Sequence, residues 1–277
     1  MPLDPSLWND HPFGPEALRL DGRIAVVTGA ASGLGRATAI ALARFGADLA
    51  LCDREEAGLE SARAEIEALG RRCHAGVLDV RDDDLVAGFL LEAAQSLGQI
   101  DILVNNAGGG FWSPFLAVSA KGEQALVREN FGSVTSCIRH AVPQMKPGAS
   151  IINVTSIEAH RAGPGFAIYS AMKAAVANLT KTLSMELAGQ RIRINCVAPD
   201  MIRTPGDTVL AGEADPMLPR VAEASWPEAG HPDDCAAAVV FLAGDGARFI
   251  TGSTIHLDGG NWAAGGWKVR EDGGFAL

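Results

Sequence analysis

The fold class this chain predicts is α/β: a doubly wound parallel sheet of about seven strands in one domain, with helices on both faces. Three observations carry it. Short β-branched runs alternate with helical stretches along most of the 277 residues, a glycine-rich turn joins the first run to the first helix, and small residues and amides follow the fourth run.

Residues 1–20 are rich in proline and have no helix or strand period, so they predict an irregular N-terminal arm. The domain, 21–260, starts with Ile24 to Val27, an apolar run that ends in a glycine turn, and with a helix over Arg36 to Phe45. The rhythm then repeats: strand Asp48 to Cys52, helix Glu55 to Leu69, strand Cys73 to Val77, helix Asp82 to Leu97, strand Ile102 to Asn105. Such alternation implies parallel pairing. A long helix from about Lys121 to Met145, strand Ser150 to Val154, a helix from about Tyr169 to Leu187 and strand Arg193 to Val197 follow. Helix Asp233 to Ala243 and strand Thr254 to Leu257 close the pattern, and 261–277 form a C-terminal extension.

Composition narrows the function classes. A formal charge of -10 speaks against nucleic acid or anionic membrane partners. Cys52, Cys73, Cys137, Cys196 and Cys235 are scattered, without a Cys-x-x-Cys pair or a His/Cys cluster at metal spacing, so buried reduced thiols and no metal are expected. No basic leader or membrane-length apolar run stands out, and a cytoplasmic enzyme is the expectation.

Thr28-Gly29-Ala-Ala-Ser32-Gly33-Leu34-Gly35 follows the first strand and opens the first helix. Glycines let the backbone turn tightly beside a pyrophosphate, and the helix N-terminus offers free N–H groups. Asp53 ends the second strand, where a carboxylate accepts ribose hydroxyls and repels a 2'-phosphate; the alternative is a helix cap. With neutral Ser32, it favours NAD over NADP, although Arg54 beside it keeps NADP open. Asp79 and Val80 stand at the end of the third strand, placed to meet adenine, with helix capping as the alternative for Asp79. Asn105-Asn106-Ala107-Gly108 closes the fourth strand at the same sheet edge.

Tyr169, the only tyrosine, stands four residues before Lys173, and Ser156 lies thirteen residues upstream of it. On a helix, positions i and i+4 share a face, so the ammonium lies beside the phenol. Ionising a tyrosine at neutral pH requires about 4 kcal/mol against its reference pKa of about 10. A unit charge about 4 Å away, at an effective dielectric of about 20, supplies about that much. Tyr169 is thus a candidate general acid/base.

As a set, Thr28-Gly-x-x-x-Gly33-x-Gly35, Asp79, Asn105-Asn-Ala-Gly108, Ser156, Tyr169-x-x-x-Lys173 and Pro199 resemble the short-chain dehydrogenase/reductase family, from about Gly22 to Gly260. The resemblance implies a Rossmann domain and nicotinamide-dependent hydride transfer. In that scheme Ser156 hydrogen-bonds the substrate oxygen, Tyr169 exchanges a proton with it, and Lys173 favours the tyrosinate and grips the nicotinamide ribose. Asn130 matches the helix asparagine that helps hold a water near the lysine, and Ile202 and Thr204 match positions that contact the carboxamide. Asp200 departs from the family, which usually has glycine after Pro199; Asp tolerates left-handed backbone better than most residues. Family members are commonly dimers or tetramers, so a homo-oligomer, most simply a homotetramer, is expected.

Substrate choice is read least directly. Phe111, Trp112, Phe166, Met201 and Trp226 either wall an apolar pocket suited to a hydrophobic or cyclic secondary alcohol or pack subunits together. Glu158, His160 and Arg161 read as solvated loop residues rather than substrate contacts. The segment Pro205 to Pro227 resembles the family's substrate lid. All five tryptophans, Trp8 and Trp267 included, fall outside the predicted helices and strands. The expectation is an NAD-linked dehydrogenase of secondary alcohols. An NADPH-linked carbonyl or 3-oxoacyl-thioester reductase is the alternative, and a non-catalytic dinucleotide sensor is the reading from another class.

Overall fold

The computed structural model describes residues 14–200, 202, 204, 226–270 and 274–276. Met201, Trp8 and all of the expected lid but its end at Trp226 and Pro227 lie outside them.

Seven parallel strands form one sheet in the order β3-β2-β1-β4-β5-β6-β7. They are β1 (Ile24–Thr28), β2 (Asp48–Asp53), β3 (Cys73–Val77), β4 (Ile100–Asn105), β5 (Met145–Val154), β6 (Arg193–Pro199) and β7 (Thr254–Leu257). β1 is buried along its whole length, as expected of a parallel strand covered on both faces. One core packs under α1 (Gly33–Arg44), α2 (Glu56–Ala68) and α7 (Pro232–Ala243), around Val27, Leu42, Leu51 and Val239. The other packs under α3 (Asp83–Leu97), α5 (Ser133–Ala141) and α6 (Ala167–Glu186), around Leu90, Ile100, Ile138 and Ile194. The chain runs outward from β1 in both directions, so the crevice where strand order reverses opens between β1 and β4.

Several boundaries differ from the sequence expectation. The helix expected over 121–145 divides into α4 (Ala120–Val127), a π turn at Arg128–Gly132, α5, and a 3-10 turn at Val142–Gln144. The Asn130 side chain explains the first break, because its Nδ2 donates to the Leu126 carbonyl at 3.0 Å and competes with the backbone ladder. Pro143, which has no N–H to donate, accompanies the second, and Met145 begins β5 rather than ending a helix. The described end of the arm is also more ordered than its composition implies. Pro15–Leu18 forms a 3-10 turn, Leu20 is fully buried, and its N–H donates to the Phe45 carbonyl at 2.7 Å. In the extension, α8 (Asn261–Ala264) places Trp262 in a helix, and Lys268–Val269 pairs with Phe275–Ala276.

Among the described residues, no helix is long and apolar enough to cross a membrane. The five cysteines are free thiols, four of them buried. Burial pushes Cys73, Cys137 and Cys235 up to about 12 and Cys196 to about 11, which leaves them poor nucleophiles.

Candidate active site

A cleft of about 790 Å³ lies across the carboxyl edge of the sheet. The structure brings Gly29, Ser32, Gly33, Leu34, Asp53, Asp79, Val80, Asn106, Gly108, Ser156, Tyr169, Lys173, Pro199, Ile202 and Thr204 to its walls. Two expected residues stay behind the wall. An added Cβ on Gly35 would sit 2.0 Å from the Gly29 carbonyl oxygen, so this glycine lets α1 approach the turn rather than meeting a ligand. Asn130 is completely buried; its Oδ1 accepts from Gly109 N at 3.2 Å and its Nδ2 donates to Gly109 O at 2.8 Å. It fixes the backbone on which Gly108 stands, and a Cβ on Gly108 would lie 2.9 Å from Asn130 Oδ1 and 3.1 Å from Lys173 Nζ.

The β1–β4 half is held by bonds to backbone. Thr28 Oγ1 accepts from Asn106 N at 3.1 Å and Ala107 N at 3.0 Å, while Asn106 Nδ2 donates to the carbonyls of Thr28 and Gly29, each at 3.0 Å. Gly29 and Gly33 have φ of +69° and +56°, the left-handed conformation that glycine reaches without strain. Asp53 accepts from Ala31 N at 3.0 Å and Glu55 N at 3.1 Å and so ties β2 to the glycine turn. It does not cap α2; Glu55 does, accepting from Ala57 N and Gly58 N. Asp79 likewise leaves the α3 cap to Asp82. Its carboxylate is gripped by the Arg81 guanidinium, which holds it below the usual carboxylate range. Arg54 also lines the cleft, beside Asp53.

The other half gathers around α6. This helix starts at Ala167, so Tyr169 lies in its first turn and Lys173 one turn on, its Nζ 5.5 Å from the phenol ring centroid. Lys173 Nζ donates to the Val154 carbonyl at 3.0 Å. Burial pulls it down to about 8 from an ordinary 10.5, against the opposing pull of Cys196 and Glu129. Phe166 meets Tyr169 edge-on, centroids 6.3 Å apart.

Charged groups complete this half, and here the sequence reading needs correcting. Glu158 is no solvated loop residue: it lines the cleft, and its carboxylate accepts the Ser156 hydroxyl. Arg161 Nη2 lies 3.1 Å from Asp200 Oδ2, which also accepts Asn261 Nδ2 at 2.7 Å. His160 packs on His256 with ring centroids 4.7 Å apart, and His256 packs on Trp262 at 5.4 Å. Of the expected apolar wall, Phe166 lines this cleft, Trp226 lines a smaller neighbouring one of about 340 Å³, and Phe111 and Trp112 line neither. Glu129 and Asp200 also face the larger cleft. Sequence reasoning missed the Glu158 contact, although a serine followed two residues later by an acid is a local turn pattern that could have drawn attention.

The architecture and cleft define a Rossmann-like α/β protein, and comparison with known proteins places the chain among oxidoreductases of that class. Residues 29–261 match the family model described as Enoyl-(Acyl carrier protein) reductase. The chain is 37% identical to the 3-oxoacyl-(acyl-carrier-protein) reductase of Thermotoga maritima, over 88% of this chain and 99% of that one. It is also 37% identical to cis-4-hydroxycyclohexanecarboxylate dehydrogenase of Sinomonas cyclohexanicum, over 86% of this chain and 96% of that one. Among solved structures, a short chain dehydrogenase from Mycobacterium paratuberculosis bound to NAD superposes with a TM-score of 0.83 at 29% identity, covering 88% of this chain and 99% of that one. One from Burkholderia cenocepacia in complex with NADP superposes at 0.81 and 31% identity, covering 87% and 98%. The chain belongs to the short-chain dehydrogenase/reductase family.

Proposed function

We propose that this protein is an NAD-dependent dehydrogenase that interconverts a secondary alcohol and its ketone, with a cyclic substrate that carries polar groups. The observation that carries the reading is the stacking of Lys173 one helical turn from Tyr169, at the edge of a cleft whose other end is the glycine turn. The residues present fit a dinucleotide. Gly29, Gly33 and Gly108 line the cleft without side chains, the N-terminus of α1 would hold the diphosphate, and the Asp53 carboxylate would accept ribose hydroxyls. When bound, the nicotinamide supplies the hydride acceptor or donor.

The chain's own residues then manage position and protons. Ser156 donates to the substrate oxygen, and Tyr169 removes the hydroxyl proton as the alcohol becomes a ketone. The Lys173 ammonium favours the tyrosinate, and its buried setting keeps competing water off that charge. Asn130 holds the Gly108–Gly109 backbone against Lys173 and so fixes where the ammonium rests. The Sinomonas relative, by its name a dehydrogenase of a hydroxycyclohexane carrying a carboxylate, supports a polar cyclic alcohol. Arg54 on the cleft wall favours a second reading, an NADPH-linked reductase of carbonyls or 3-oxoacyl thioesters. A panel of cyclic, steroidal, aromatic and sugar alcohols, assayed with NAD+ and with NADP+ for reduced nicotinamide, separates the two. Faster turnover with NADP+ across the panel would overturn the NAD assignment. Assembly as a homo-oligomer belongs to the same proposal, checked by light scattering.

A further inference from the structure

Glu158 occupies the place where a substrate would meet Ser156. Its carboxylate accepts the serine hydroxyl while its own N–H donates to Ser156 Oγ at 3.2 Å. A hydroxyl carries a single hydrogen to donate. While Glu158 holds that hydrogen, Ser156 has none to give to the reacting oxygen. A substrate with one hydroxyl must therefore take the bond from Glu158, leaving a carboxylate whose side chain is 24% exposed without its donor. Arg161 stands in only at long range. Its Nη2 lies 4.0 Å from the nearer Glu158 oxygen but 3.1 Å from Asp200. Nor is the side chain loose, because the loop packs on its stem; a Cβ on Gly163 would lie 2.8 Å from Glu158 Cγ.

We propose that Glu158 is a specificity residue that selects substrates with a second hydroxyl on the carbon next to the reacting one. That neighbouring hydroxyl donates to the Glu158 carboxylate and releases the Ser156 hydrogen to the reacting oxygen. A bound oxidised nicotinamide would accept the hydride of the carbinol carbon, and Tyr169, as tyrosinate, would take the hydroxyl proton. Asp200 and Glu129, which also line the cleft, add acceptors for donor-rich substrates. This inference rests on the dehydrogenase reading above.

The test uses the full-length protein with NAD+ and matched pairs: cyclohexane-1,2-diol against cyclohexanol, butane-2,3-diol against butan-2-ol, and 1-phenylethane-1,2-diol against 1-phenylethanol. The wild type should favour the diol in kcat/KM by about 10- to 100-fold, the usual range for a hydrogen bond to a charged group. Glu158→Val should cancel that ratio by raising KM for diols and kcat for mono-alcohols, and Glu158→Gln should retain part of it. NADH binding confirms that each variant is folded. Should a variant fail to bind NADH, the wild-type ratios alone decide. Equal rates within every pair overturn the role of Glu158 and spare the dehydrogenase. A diol preference that survives in Glu158→Val overturns it too. No NADH from any pair removes both.

Discussion

The two halves of the cleft are built differently. Around the glycine turn, Thr28, Asn106 and Asp53 all bond to backbone atoms, so the shape follows from main-chain geometry. Around Ser156, links between side chains join those to backbone: Ser156 to Glu158, Arg161 to Asp200, Asn261 to Asp200. A backbone-built wall tolerates little change and suits an invariant ligand part, whereas a wall of side chains can be rewritten one residue at a time. On the proposed reading, the first half receives the dinucleotide and the second chooses the alcohol.

The sharpest break in that comparison is chemical. Tyr169→Phe removes the proton-transferring group while leaving the β1–β4 half untouched, so kcat should fall by about 10³-fold, within the usual span for general acid/base catalysis. NADH affinity by fluorescence titration should barely move. Retained turnover would remove Tyr169 from the mechanism.

Lys173 offers a test of the second half without any substrate. Its folded value of about 8 lies below the ordinary 10.5 because it is buried. Between those values the unfolded chain holds a proton that the folded chain has released, so stability rises with pH across the window. The burial penalty is full below pH 8 and gone by about 10.5, a difference on the order of 3 kcal/mol. Urea unfolding of the ligand-free protein at pH 7, 9 and 10 should show this gain relative to Lys173→Met. Parallel curves for the two proteins would mean that the folded lysine keeps its ordinary value and carries no burial penalty.

The first half breaks through packing instead. Gly35→Ala pushes a methyl against the Gly29 carbonyl, at 2.0 Å before relaxation, and should cost about 1–3 kcal/mol and weaken NADH binding. Gly88→Ala, inside α3 with open space around it, should stabilise by up to about 1 kcal/mol. A Gly35→Ala variant that loses no stability, like Gly88→Ala, would show that α1 can slide away from the turn.

The same contrast explains what the sequence could reveal. Strand runs, the glycine turn and the Tyr169–Lys173 spacing are local patterns, and the observed sheet carries all seven expected strands. The break of the helix at Asn130 was not legible, because it depends on a side chain competing for the Leu126 carbonyl and reaching Gly109 across the fold. The link between Arg161 and Asp200 was hidden for a related reason. These residues lie 39 positions apart and meet because parallel β5 and β6 end side by side. Aromatic residues misled in the opposite sense: Phe111 and Trp112 are apolar and near the site in sequence, yet they do not line the cleft.

In the backbone-built half, the side chain left to discriminate between dinucleotides is Asp53, next to Arg54. The Asp53 carboxylate already accepts two backbone N–H groups, so Asp53→Asn keeps an acceptor for Ala31 while removing the charge. Loss of that charge lifts the repulsion of a 2'-phosphate beside Arg54. The ratio of kcat/KM for NAD+ to that for NADP+ should drop by about tenfold, equivalent to about 1.4 kcal/mol. The effect should shrink with added salt, since both groups border open cleft. A ratio that does not move, or that moves equally at high and low salt, would assign cofactor choice to the shape of the turn rather than to this carboxylate.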